Sequence, residues 1–299
     1  LLASRRRDLA PTYLPGETLK PEAEGGCGVT GFAASVPVSG HHIFQPSVQM
    51  HNRGNGKGGG IAAVGLDPDS LGVSREILEE DYLIQIAFLD PEVRAQVEEK
   101  FIKPFLRVDF AGRVEAMADW RDLPGLTVEP PEVWRYFVRV KTEVQQHFIQ
   151  RHHLHGISWR RVEDEFISQN CYNLNQTYYA SLGDKKAFVL SQGRNVMILK
   201  IVGYAEEAAL YYNLLDFKAH IWIAHQRYPT RGRVWHPGGA HPFAALNMAL
   251  VHNGDFANYH SVSEYLGQRQ TYPLFLTDTE VAVLMFDLLH RVYGYPLEY

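Results

Sequence analysis

Cysteine is nearly missing from this sequence. The 299 residues hold two, Cys27 and Cys171. Two are too few for a disulfide framework, and neither lies in a CxxC or other cluster that would hold zinc or an iron–sulfur centre. Redox chemistry at such a centre therefore belongs to another chain. Long apolar runs are missing too: no segment approaches the roughly 18 residues of a membrane span, and no signal-peptide core follows Arg5-Arg6-Arg7. Nor is there an excess of positive charge. The net charge is −5, and three arginines are too short a run to make a nucleic-acid or membrane surface. A cytoplasmic location is the resulting expectation. The 14 histidines include His41-His42, His51 and His152-His153-x-His155, but no HExxH pattern or matched carboxylate spacing accompanies them. They read as surface or core histidines rather than metal ligands.

What is present suits a large buried core. With 45% hydrophobic and 21% charged residues, the length allows one large domain or a domain carrying an insertion. The first residue is Leu rather than Met, and residues 1–26, rich in Pro, Glu and Arg, read as a leader or pro-segment. Cys27 to Ser35 then alternates small and apolar residues like a first strand. A cysteine at a strand start ordinarily packs as a small hydrophobe. Gly54, Gly56 and Gly59 satisfy GxGxxG, but the run leads into the apolar strand Ile61 to Leu66 instead of a helix, which fails the dinucleotide-binding context.

Residues 67–164 are more charged. Tyr82 to Leu89 reads as a strand, Asp90-Pro91 as a helix start, Val133 to Lys141 as a strand and Thr142 to Arg151 as a helix, with a weaker strand within Arg107 to Met117. That β-α-β-β-α order predicts a small ferredoxin-like insertion assigned to packing or subunit contacts. From Phe166 the main domain is expected to resume, with Cys171 in a strand-like alternation and Ser191-Gln192-Gly193-Arg194 as a hairpin turn. A helix follows near Ala205 to Leu215. Thr277, three residues before Glu280, makes a capping box for a last helix with Asp278 in its first turn.

Two short apolar runs, Ile221 to Ala224 and Met248 to Val251, read as buried strands ending in polar clusters, His225-Gln226-Arg227 and His252-Asn253-Gly254. An arginine leaving a strand offers a planar fork to a carboxylate. An Asn-Gly pair offers an amide and an open backbone N–H to an oxyanion, though Asn-Gly is also the commonest hairpin turn.

HQRYPTRG, GAHPF and VHNGDFANY, in this order, together with GGCGVTGF, closely resemble the glutamine-binding core of class II glutamine amidotransferases, most of all the amidotransferase part of archaeal-type glutamate synthases. The resemblance covers most of residues 27–66 and 166–290. It implies an α+β fold, the four-layer α/β/β/α sandwich of N-terminal-nucleophile hydrolases, built from residues 27–66 and 165–299 around the 67–164 insertion. It implies Cys27 as nucleophile, its free α-amine serving as base once residues 1–26 are removed, and Asn253 and Gly254 as the oxyanion site. Arg227 would hold the glutamine α-carboxylate with Thr230 nearby, and Asp278 the α-ammonium. Arg53, which matches an Arg-Gly that the family places after its first helix, and His241, at a position in GAHPF that the family does not always fill with His, are further candidate substrate-binding residues, Arg53 in a supporting role. Ammonia would pass by a protected route to a partner synthase subunit, making a hetero-oligomer. FMN and iron–sulfur clusters are expected only on that partner, with 2-oxoglutarate as acceptor or, in a related type, N-methylglutamate synthesis. A different reading stays open: a non-catalytic glutamine-binding regulatory or scaffolding subunit in which Cys27 remains unprocessed.

Overall fold

The run KAHIWIAHQ alternates side chains about a β-branched and aromatic middle and forms the strand on which the first sheet is laid out. The computed structural model describes residues 26–228 and 236–298. Its first half comprises β1 Gly28–Ser39, α1 His41–Gln49, β2 Gly59–Leu66, α2 Pro68–Leu71, α3 Arg75–Glu80, β3 Tyr82–Phe88, α4 Arg94–Val97, β4 Leu106–Arg113 and β5 Glu132–Val140. The second comprises α5 Thr142–His152, α6 Trp159–Tyr178, β6 Ala187–Gly193, β7 Val196–Ile201, α7 Ala205–Tyr211, β8 Lys218–Gln226, β9 Phe243–Ala245, β10 Met248–Leu250, α8 Tyr259–Gly267 and α9 Asp278–Asp287.

The first sheet runs β1–β8–β2–β7, antiparallel throughout. Its register brings Gln226 opposite both Gly28 and Gly59. The end of β8 is therefore flanked by the start of β1 and the start of β2, so three chain segments distant in sequence converge at one sheet edge. Ile61, Ala63, Met197, Leu199, Trp222 and Ala224 share one face and form a core with Ile43 of α1 and Ala205, Ala208 and Ala209 of α7. Gly59 permits this approach, since a Cβ there would lie 2.4 Å from Ala205 N.

The opposite face carries Gly60, Ala62, Ile198, Lys200 and His225. It is covered by the chain after residue 236: a Cβ on Gly60 would lie 2.3 Å from His241 O, and Lys200 Nζ donates to the carbonyls of Gly238, Ala240 and Pro242. The hairpin β9–β10 turns at Leu246-Asn247, where Asn247 takes a positive φ of 59°. Its Oδ1 accepts from Arg194 N at 2.7 Å, tying the hairpin to the β6–β7 link.

The second sheet runs β4–β5–β3–β6, also antiparallel. Tyr82, Ile84, Ile86, Tyr136 and Val138 pack on one face against Ile167, Cys171 and Leu174 of α6, while Leu83, Ala87, Phe137, Phe188 and Leu190 join the core of the first sheet. The described residues are thus a mixed α+β fold with antiparallel sheets, compatible with an α+β sandwich. Among them no helix is long and apolar enough to cross a membrane.

Several expectations change. The β-α-β-β-α order of the insertion is present, and β3 pairs with β6 from Leu83↔Gly193 to Phe88↔Ala187, so the strands of the insertion share a sheet with a strand beyond residue 164. Cys171 lies in helix α6, not in a strand: Ile167, Cys171, Leu174 and Tyr178 are buried at helical spacing, a period that a short window mistakes for alternation. Ser191–Arg194 is no hairpin turn, because β6 and β7 belong to different sheets. Met248–Leu250 is half-buried in a two-stranded ribbon. The capping box at Thr277 is one-sided: Thr277 accepts from Glu280 N at 3.1 Å, while the Glu280 carboxylate turns to Leu274 N and Phe275 N at 2.6 and 2.8 Å. Residues 1–25 lie outside the described residues.

Two outcomes follow. Trp222 is fully buried, and Trp222→Ala is expected to lower the unfolding free energy by about 3–5 kcal/mol, measured by denaturant titration. Cys171 is enclosed, and burial pushes its thiol far above the ordinary range. A thiol reagent should therefore label Cys27 in the native protein but Cys171 only after unfolding; native labelling of Cys171 would refute its place in the core.

Candidate active site

The convergence at the end of β8 places Cys27 and Arg227 one residue beyond the paired Gly28 and Gln226. Cys27, half-buried, is held by Tyr228, whose backbone N–H donates to Sγ at 3.3 Å. Arg227 is fixed through its backbone, its N–H donating to Gly58 O at 2.8 Å and its carbonyl accepting from Asn55 N at 3.2 Å. The glycine-rich loop thus acts on the site through main-chain bonds.

The Arg227 guanidinium is largely buried, and its Nη1 has no hydrogen-bond partner among the described residues. Burial lowers its pKa from the ordinary value, an effect opposed by the nearby Cys27 and Asp278. A buried donor without a partner carries a desolvation cost, which an incoming anion relieves. Arg53 flanks the nucleophile from the other side: Cβ atoms placed on Gly26 and Gly28 would lie 3.7 Å from its Nη2 and 3.0 Å from its Cβ.

Asp278 opens α9. Thr279 N donates to Asp278 Oδ1 at 2.8 Å, and His252 Nδ1 lies 3.6 Å from Oδ2. His241 is buried, with Nε2 2.6 Å from Thr279 Oγ1, and its ring lies against that of His225 at 3.8 Å between centroids, tilted by 33°. The Nε2–H of His225 donates to His252 O at 3.1 Å. Asn253 and Gly254 follow His252 and are exposed. They lie beyond β10, so this Asn-Gly pair is not the hairpin turn. Gly254 has φ +153°, a conformation that other residues rarely adopt.

The structure therefore brings Cys27, Arg227 and Arg53 to one edge, and links Asp278 and His241 to each other and to the segment bearing Asn253 and Gly254. Asn253 makes no side-chain hydrogen bond among the described residues. Thr230 lies outside the described residues. Among those described, no group of three or more His, Cys, Asp or Glu is placed to hold a metal ion.

Sequence reasoning missed the buried Lys200 and the work of Glu280. Lys200 is 2% exposed, surrounded by three carbonyls and 4.5 Å from the Phe243 ring centroid. Burial brings its pKa down to about 7 and raises that of Glu280 to about 7. An alternating strand ordinarily assigns such a lysine to solvent; only the covering of that face by residues 238–242 reverses this. His236, also buried, lies 2.9 Å from the Tyr179 hydroxyl.

These groups fix the sign of the acid response. Burial holds His225 and His236 down to about 3, and His241 well below its ordinary value. Each folded pKa lies below the unfolded value of 6.5. Their contribution is thus present above that pH and lost as pH falls toward 3. Glu280 acts oppositely: its contribution is full below pH 4.5 and lost as pH rises through about 7. Urea unfolding at a series of pH values should show stability falling below pH 6.5, with a shallower fall in His225→Gln. An identical acid limb in that variant would refute the assignment.

No protein-family model matches the chain. It is 30% identical over 276 residues to an uncharacterized protein of Archaeoglobus fulgidus, a match covering 91% of this chain and 65% of that protein. It is also 30% identical over 102 residues to a glutamine–fructose-6-phosphate aminotransferase (isomerizing) of Buchnera aphidicola, a partial similarity covering 34% of this chain and 16% of that enzyme.

Proposed function

We propose that the chain is a glutaminase of the class II amidotransferase type, hydrolysing the side-chain amide of L-glutamine to glutamate and ammonia within an N-terminal-nucleophile α/β/β/α fold. The observation that carries this reading is the largely buried Arg227 guanidinium, its Nη1 without a partner among the described residues, beside Cys27 and within electrostatic reach of Asp278. Anion holder, nucleophile and cation holder are the set that an α-amino acid substrate requires. The partial similarity to an enzyme named for glutamine and amino transfer supports the same reading.

In the reaction, Cys27 Sγ attacks the amide carbon while the α-amine of Cys27, freed by removal of residues 1–26, takes the thiol proton and returns it to the departing ammonia. The Asn253 amide and the Gly254 N–H receive the oxyanion, Arg227 the α-carboxylate and Asp278 the α-ammonium. Arg53 and Thr230 border the substrate. Water then hydrolyses the thioester. Ammonia passes to a partner subunit bearing FMN and iron–sulfur clusters, with glutamate synthesis from 2-oxoglutarate as the favoured acceptor reaction.

A second reading rests on the 26 residues that precede Cys27 in the sequence. An acylated α-nitrogen is no base, and in that state the chain would bind glutamine without turnover.

The test uses chain processed to begin at Cys27. Glutaminase activity is expected, lost in Cys27→Ala and lowered in kcat by about 10²–10³-fold in Asn253→Ala. Arg227→Met should raise KM for glutamine by at least about 10-fold. Activity surviving Cys27→Ala would refute the nucleophile; tight glutamine binding without hydrolysis in processed chain would favour the regulatory subunit.

A further inference from the structure

A circuit of contacts joins four stretches of chain beneath the site. From β8, His225 donates to the backbone carbonyl of His252. From the loop after β10, His252 lies against one oxygen of Asp278. From α9, Thr279 N and Oγ1 lie 2.8 and 3.3 Å from the other oxygen. Thr279 Oγ1 also meets His241 Nε2 at 2.6 Å, and the His241 ring returns the circuit to His225 by a tilted ring contact at 3.8 Å. Thr279 is fully buried and His241 nearly so.

Proton counting gives this circuit a direction. Asp278, as carboxylate, only accepts, so its 3.3 Å contact with Thr279 Oγ1 is a hydrogen bond when the single hydroxyl proton lies toward Oδ1. In that arrangement Thr279 Oγ1 has lone pairs left for His241, which presents Nε2–H across 2.6 Å. His241 Nδ1 then carries no proton, and it has no partner among the described residues. Donors therefore run in series from His241 through Thr279 to Asp278. The Asp278 side chain at the start of α9 is 29% exposed.

Resting on the glutaminase reading, we propose that Thr279 and His241 are positioning residues that preset the Asp278 carboxylate for the substrate α-ammonium and lock it to the His252-Asn253-Gly254 segment. Neither residue touches substrate; both act through Asp278. A preset carboxylate removes the ordering cost that binding would otherwise carry.

The test compares L-glutamine with its desamino analogue 5-amino-5-oxopentanoate, which keeps the carboxylate and amide but lacks the α-ammonium. In processed chain, Thr279→Val keeps the shape and removes the hydroxyl. KM for glutamine is expected to rise about 10-fold, the scale of one hydrogen bond to a charged group, with kcat within about twofold. Turnover of the desamino analogue should be unchanged, and Thr279→Ser should restore KM. If Thr279→Val does not fold, His241→Phe retains a ring against His225 while removing Nε2–H, and should produce a smaller selective rise. Equal losses with both substrates, or an unchanged KM in both variants, would overturn the positioning role while leaving glutaminase activity standing. Wild-type processed chain inactive on glutamine would overturn the underlying reading and the proposal with it.

Discussion

The buried amide of Gln226 holds together the parts on which the rest depends. Its Oε1 accepts from Ala205 N at 2.9 Å at the start of α7, while Nε2 donates to Ser47 O of α1 at 3.1 Å and to the Glu206 carboxylate. One fully buried side chain thus saturates itself across two helices while its backbone pairs with β1 and β2. Leaving such an amide unpaired in the interior would cost about 1–3 kcal/mol per group, so the three neighbours are fixed together or not at all. The positions of Cys27, Arg227 and Gly58 follow from that junction.

Around it, the interior keeps basic groups out of water. His225, His236, His241, Lys200 and Arg227 all have their protonated forms penalised by burial. Lys200 is compensated by three carbonyls and aromatic faces; Arg227 retains a donor without a partner among the described residues. In the proposed glutaminase this difference separates a structural cation, satisfied by the chain, from one that would take the substrate carboxylate. Glu280 belongs to the satisfied class, its oxygens taken by the N–H groups that precede α9.

Local sequence determined the elements that depend on local physics. Strands at Tyr82–Phe88 and Glu132–Val140 and the helix at Thr142–His152 lie within a residue of where alternation and capping placed them. Asp90 caps through Glu92 N, and Thr277 caps α9. The candidates Cys27, Arg53 and Arg227 were legible from motifs, and all three gather at one sheet edge. What periodicity misassigned was α6, where helical spacing over 20 residues outweighed a short alternating window around Cys171.

Only tertiary structure decided what depends on register and covering. That β3 pairs with β6 across a hundred residues is set by which edges meet, a matter of long-range packing that leaves no local trace. That Lys200 is buried depends on residues 238–242 lying across its face, and that Arg227 Nη1 lacks a partner among the described residues depends on which side chains fail to reach it. The link from His225 through His252, Asp278 and Thr279 to His241 likewise joins four separate stretches by their shared position beneath the sheet. Sequence thus determined which chemistry was on hand and where strands and helices form, because side-chain type and backbone preference are local. The fold decided which of those groups meet, and which are left unpaired, because burial and hydrogen-bond satisfaction are properties of the assembled whole.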